Sequence, residues 1–186
     1  MQINKPLRRA LILSTLVITA ILLLNISAQF SKEKRAAAQK QYLQKQLAQV
    51  APSTFDNNPG TDAKQLKNGN VIYPFYKNQQ LLGYAIATTT ADGYSGDIRL
   101  LIGIDTSGVI TAVYPLSHHE TPGLGDRIEP RHSNWIDGFI GMNKNTPLRH
   151  WKTLNNGGHF DNLTGASVTA DAILTQVRKT LDQGIK

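Results

Sequence analysis

"DIRLLIGIDTSGVITAVYPL", Asp97 to Leu116, holds two runs of β-branched and aliphatic residues around a short polar break. The break, "DTSG", has the chemistry of a tight turn. An aspartate side chain can bond backbone groups two residues on, and glycine accepts a positive φ. Two extended runs joined this way predict a β-hairpin. A second pair lies upstream: "VIYPFYK" (Val71–Lys77) and "LLGYAIATTTA" (Leu81–Ala91), separated by the polar turn Asn78–Gln80. Between the hairpins, "DGYSG" (Asp92–Gly96) reads as a loop with two glycines. The four runs predict an antiparallel sheet.

Downstream the pattern changes. "SHHETPGLGDRIEP" (Ser117–Pro130) is turn-rich, and Gly123 and Gly125 permit backbone conformations closed to other residues. "SNWIDGFIG" (Ser133–Gly141) predicts a short helix with Ser133 as its N-cap. Its buried face would be Trp135, Ile136, Phe139 and Ile140. "VTADAILTQVRKTLDQG" (Val168–Gly184) predicts an amphipathic helix. Val168 or Ala172, with Leu174, Val177 and Leu181, form its apolar face, and Gly184 its C-cap. The class is α+β, with a C-terminal helix on an antiparallel sheet.

Upstream of the sheet, "ALILSTLVITAILLLNISAQF" (Ala10–Phe30) approaches the roughly 20 apolar residues that span a bilayer. Its hydroxyls can bond back to helix carbonyls. The basic and apolar parts also suit a cleavable signal peptide, but Ile26 is a poor residue three places before a cut at Ala28. The reading is an uncleaved transmembrane helix at 10–30. Basic residues flank both ends, so charge leaves its orientation open. Residues 31–60 predict a stalk helix and a linker. "SKEKRAAAQKQYLQKQLAQV" lacks Gly and Pro, and Leu43, Leu47 and Val50 make one narrow apolar stripe suited to lying on the domain. "APSTFDNNPGTDAKQ" reads as a loop.

Composition removes several function classes. There is no cysteine, so disulfides, thiolate metal sites and cysteine nucleophiles are excluded. The formal net charge is +7, but all of it lies in residues 1–50; residues 51–186 hold equal numbers of acids and bases. A nucleic-acid binder would concentrate its charge on the folded domain, so no nucleic-acid partner is expected.

Four kinds of chemistry can be weighed. His118, His119 and Glu120 offer a metal pair at best, without a third ligand at a telling spacing. Ser/His/Asp hydrolysis has the residue types but no G-x-S-x-G elbow. "NIS" at Asn25 and "NLT" at Asn162 fit the glycosylation sequon, a short and common pattern. "DNLTGASVTADAI" (Asp161–Ile173) places small residues and three hydroxyls, on Thr164, Ser167 and Thr169, where a loop opens the last helix. Such a helix start favours anions, although Thr164 or Ser167 could also be an ordinary N-cap. No Walker loop is present.

Three stretches together carry a resemblance: "GYSGDIRLLIG" (Gly93–Gly103), "HHETPGLGDRIE" (His118–Glu129) and "DNLTGASVTADAI". The chain resembles the FMN-binding domain family shared by the G subunit of the Rnf/Rsx ion-translocating electron transport complex and the C subunit of the sodium-pumping quinone reductase. The resemblance covers nearly the whole chain. It implies covalent FMN, joined by a phosphodiester to the last threonine of D-x-x-[ST]-G-A-[ST]-x-T. Here that pattern reads Asp161, Thr164, Gly165, Ala166, Ser167 and Thr169, which puts the flavin on Thr169. A separate flavin transferase would install it from FAD with Mg²⁺. The glycine loop, with His118, Glu120, Thr121, Gly123 and Gly125, would border the isoalloxazine ring.

The same resemblance implies a cytoplasmic N-terminus (residues 1–9) and an FMN-binding domain (61–186) on the periplasmic side of a bacterial inner membrane. The chain would be an electron-carrying subunit among other membrane subunits. The family's complex moves electrons between ferredoxin and NAD, coupled to ion transport, or helps keep a redox-sensing regulator reduced. Two other readings remain: a membrane-anchored binding or scaffold module without flavin, and a stand-alone reductase, for which the chain has no second cofactor domain.

Overall fold

The computed structural model describes residues 5–184; within the first helix the side chains of 5–7, 9–12, 27 and 29–33 lie outside the described residues. The expected cytoplasmic tail therefore lies partly outside them, as do both ends of the expected membrane span. The chain forms two compact units, Met1–Tyr42 and Leu43–Lys186.

Helix α1 runs Lys5–Val50. Its described side chains from Leu13 to Ile26 include a run of exposed Leu, Ile and Val. Among the described residues no helix is long and apolar enough to cross a membrane. Polar groups in this stretch bond back along the helix: Thr19 Oγ1 donates to the Thr15 carbonyl at 2.7 Å, and Asn25 Nδ2 to the Ile21 carbonyl at 2.9 Å.

The second unit contains a five-stranded antiparallel sheet in the order of the chain. Its strands are β1 (Lys64–Gln65), β2 (Val71–Lys77), β3 (Gln80–Gly93), β4 (Gly96–Asp105) and β5 (Ile110–Ser117). The four runs anticipated from sequence are β2 to β5. The β2–β3 turn is tighter than expected, since Gln80 already pairs with Lys77. Asn78 and Gln79 take φ of 50° and 64° to close it. "DGYSG" is not a free loop. Its glycines pair as Gly93↔Gly96, so only Tyr94 and Ser95 turn, and a bulge after Thr90 resets the register.

Short β1 is visible only from its pairing; two exposed residues carry no period. Beyond it the linker guards the free edge of β2. Asn57 accepts the Tyr76 N–H at 2.9 Å and donates to the Pro74 carbonyl at 3.0 Å. Proline is tolerated there because an edge strand need not donate at every position.

Strand β4 is apolar on both faces. Leu100, Ile102 and Ile104 join a core with Trp135, Phe139, Phe160 and the inner face of α2 (Ser167–Gln183). Leu101 turns the other way and packs with Leu47 and Val50 of α1, Phe75 and Ala85. The stripe read on the stalk therefore covers the second face of the sheet. Gly103 permits this contact. A Cβ there would overlap the Val50 carbonyl oxygen, which accepts the Thr111 hydroxyl at 2.7 Å.

Two helix details correct the sequence reading. "SNWIDGFIG" forms a 3-10 helix, Trp135–Phe139, led by Asn134 rather than capped by Ser133. Ser133 Oγ does accept the Trp135 N–H at 3.1 Å, but its own proton goes to the Arg127 carbonyl. Gly138 weakens an α-helix and packs under Phe160, whose ring carbon would lie 2.7 Å from an added Cβ. Ile140 falls past the helix and is 53% exposed. In α2, Ala172 is buried and Val168 exposed, which settles that alternative.

Gly103→Ala should lower the unfolding free energy by about 3 kcal/mol or more, because the clashing atom is backbone and cannot rotate away. Urea melts should show it. A loss below about 0.5 kcal/mol would mean that the end of α1 is not seated on β4.

Candidate functional site

The loop Asp161–Ala166 delivers the chain to the start of α2. Gly165 has φ of 79°, a conformation for which glycine is suited, and an added Cβ would lie 3.0 Å from Leu124. Small residues here admit the "GLG" turn against the helix start. Ala166 is the N-cap position, and no side chain caps the helix. Neither Thr164 nor Ser167 does what an ordinary capping residue would do, so the first-turn N–H groups are left for other partners. Both hydroxyl residues are exposed.

Thr169 is different. It is 0% exposed, and its hydroxyl donates to Glu120 Oε2. Glu120 is itself 4% exposed, and its other oxygen accepts the Ser95 N–H at 3.0 Å. Two glycines make room for this carboxylate. An added Cβ would lie 2.8 Å from Oε1 at Gly93, and 2.8 Å from the Glu120 Cβ at Gly125. Gly125 is thus explained by the space Glu120 fills. Gly123 has φ of 79°, and its N–H donates to Asp126 Oδ1 at 2.7 Å.

A second chain of bonds runs behind Glu120. Its N–H donates to His118 Nδ1 at 3.2 Å, and His118 Nε2 lies 2.9 Å from Glu129 Oε1. With Nδ1 accepting, the ring proton sits on Nε2 and faces Glu129. Arg131 pairs with the other Glu129 oxygen. Burial pushes the Glu129 carboxyl up, but hydrogen bonds from Arg131 and His118 outweigh it and hold the group below its ordinary range.

The structure therefore brings Glu120, Gly125 and Thr169 together and links them to the β3–β4 turn. Glu120 is bonded to Ser95 and Thr169, and His118 to Glu129. Thr121 is exposed, and its carbonyl accepts the Leu124 and Gly125 N–H groups at 3.2 and 3.0 Å. Asp161 contributes its carbonyl, which accepts the Trp135 indole N–H at 2.8 Å. Asn162, the sequon residue, exchanges bonds with Asn155. His119 is exposed, and among the described residues no group of three His, Asp or Glu is set to hold a metal ion.

Sequence reasoning missed Ser95, Asp126 and Glu129 as partners. Only their presence inside the quoted stretches marked them. It also missed three exposed apolar side chains, Tyr94, Leu124 and Val168, carried on the three segments that Glu120 ties together. Exposed apolar groups beside uncapped amides and free hydroxyls suit a ligand with a flat aromatic part and a phosphate.

The FMN-binding domain family matches residues 93–182, from the β3–β4 turn through α2. Full-length relatives extend the likeness. The G subunit of the ion-translocating oxidoreductase complex of Aliivibrio fischeri is 35% identical over 184 residues, 94% of this chain and 88% of that protein. Its namesake in Haemophilus influenzae is 42% identical over 151 residues, 77% of this chain and 72% of that one. That of Photorhabdus laumondii is 38% identical over 178 residues, covering 89% and 85%.

Glu129 gives a pH test. A carboxyl whose folded pKa is depressed adds stability above its unfolded pKa and loses it as pH falls through the folded one. Glu129→Gln should cost about 1 kcal/mol at neutral pH, most of it from the half-buried His118 bond, since Arg131 is solvent-screened. The gap to wild type should shrink as the pH is taken from neutral to below the ordinary glutamate range. A gap that is the same at both pH values would show that the pair does not set the Glu129 proton affinity.

Proposed function

The chain belongs to the family formed by the G subunits of ion-translocating oxidoreductase complexes, and from that premise we propose that it is a membrane-anchored electron carrier with covalently bound FMN. The carrying observation is the match of the FMN-binding domain to the part of the chain where β3, β4, the glycine loop and α2 converge.

The resemblance pointed to Thr169 as the attachment residue. We assign the linkage to Ser167 instead. Thr169 is buried with its hydroxyl committed to Glu120, so a phosphate there would require the first turn of α2 to come apart. Ser167 is exposed at the first position of α2, beside uncapped N–H groups that favour a phosphodiester's negative charge. In this reading a flavin transferase joins the Ser167 hydroxyl oxygen to the FMN phosphorus of FAD, with AMP leaving. Leu124, Tyr94 and Val168 then supply apolar cover to the ring. The flavin would supply the redox chemistry, and the protein its position and electrostatics.

We also assign α1 the role of an anchor in the bacterial inner membrane, with the domain on the periplasmic side. The exposed apolar run from Leu13 to Ile26 supports this. An anchored carrier meets the other subunits of its complex at high effective concentration. Electron transfer between ferredoxin and NAD coupled to ion movement, or reduction of a redox-sensing regulator, follows from the family's role.

The test is expression in a host that exports a flavin transferase, followed by a denaturing gel viewed for flavin fluorescence and mass mapping of the modified peptide. The wild type should fluoresce, Ser167→Ala should be dark, and Thr169→Val should still reach a fluorescent end point. Fluorescence lost in Thr169→Val and kept in Ser167→Ala would return the linkage to Thr169. A dark wild type beside a glowing control flavoprotein would leave an anchored scaffold module as the function.

A further inference from the structure

We propose that Glu120 is a positioning residue: its buried carboxylate clamps the β3–β4 turn, the glycine loop and the first turn of α2 into one preformed frame, and thereby presents Ser167 for modification. The consequence for modification rests on the flavin reading above; the clamp itself does not.

The geometry is specific. Glu120 belongs to the glycine-loop segment. One oxygen accepts the Ser95 N–H at 3.0 Å, and the other accepts the Thr169 hydroxyl. Each bond leaves the segment for a different element. Their sequence separations are 25 and 49 residues, so neither is a local turn contact. The main chain that carries the carboxylate is held from behind by the bond from the Glu120 backbone N–H to His118, which is bonded in turn to Glu129. Gly93 and Gly125 leave the space it occupies; an added Cβ at Gly125 would come 3.0 Å from Oε2 and 3.3 Å from Thr169 Oγ1.

Two donors aimed at two oxygens explain why the group is an acid. Glutamine has one acceptor oxygen. It can keep the Ser95 N–H on that oxygen and turn its NH₂ toward Thr169, whose hydroxyl can also accept. Alanine leaves the buried Thr169 hydroxyl without its acceptor and frees the Ser95 N–H, and Thr169→Val leaves one carboxylate oxygen without its donor. Because α2 has no side-chain cap, Thr169 is the side-chain tie that holds its first turn to the rest of the frame. Ser167 stands two residues before it. Loss of the tie should therefore loosen the turn that carries Ser167 while leaving its hydroxyl intact.

The deciding experiment is amide hydrogen exchange on the unmodified full chain in detergent, paired with the initial rate of flavin attachment by purified transferase and FAD. Glu120→Ala and Thr169→Val should each speed exchange by about tenfold or more in all three segments, residues 93–96, 118–125 and 166–170. Exchange in the middle of β4 should stay unchanged. Glu120→Gln should remain within about threefold of wild type in each segment. Attachment rates should fall in the same order, with the Thr169→Val end point still reached. Faster exchange confined to the mutated segment, or wild-type attachment rates in Thr169→Val, would overturn the proposal. Exchange is read without flavin, so a chain that never accepts the group would defeat the functional reading and still decide the clamp. Glu120→Gln and Thr169→Val preserve side-chain volume, which keeps the test open if Glu120→Ala does not fold.

Discussion

Strand β4 is buried on both sides, and that constraint governs the rest of the domain. Leu100, Ile102 and Ile104 point one way, Leu101 and Gly103 the other. Each fully buried aliphatic side chain is worth about 1.5–3 kcal/mol only if its face is covered. A sheet with two such faces needs two lids. The α2 helix and the aromatic cluster of Trp135, Phe139 and Phe160 close one, and the last turns of α1 close the other. The meander of short connections follows, since every strand can reach its neighbour without crossing a covered face.

The site is placed by the same layering. Packing against β3 and β4 brings the start of α2 beside the β3–β4 turn. The glycine loop leaves β5 and is bonded to both through Glu120. Apolar burial sets the layers within a few ångströms, but it is indifferent to rotation and sliding. Directional bonds remove that freedom, and at this corner they converge on one carboxylate. Its two acceptor oxygens meet two donors, and its backbone N–H meets His118.

The hairpins were legible because period-two runs and turn chemistry both point to the same elements. The reading failed where pairing outran periodicity. Gly93 and Gly96 look like loop residues, yet they pair because a bulge carries the ladder past Thr90. The 3-10 helix at Trp135 has too few residues to declare a period, so its cap and the exposure of Ile140 were misread. The family motif was plain in the sequence, but the phase of α2 was not. Successive helical residues turn by about 100°. With Val168 and Thr169 adjacent, hydrophobicity argues that Val168 faces in. The reverse holds because Glu120 supplies a buried partner for Thr169, and Glu120 lies 49 residues away in the chain. No local rule carries that information, so which hydroxyl faces outward was decided by tertiary structure.

The seat of Val50 on β4 also sets where the domain can be cut free. The helix ends at Val50, so a modular boundary drawn there would seem natural. It would strip Leu47 and Val50 from Leu101, Phe75 and Ala85, and leave the notch at Gly103 open to water. The portable unit begins inside the helix, near Leu43. A graft of this domain onto another carrier would have to bring those last turns with it.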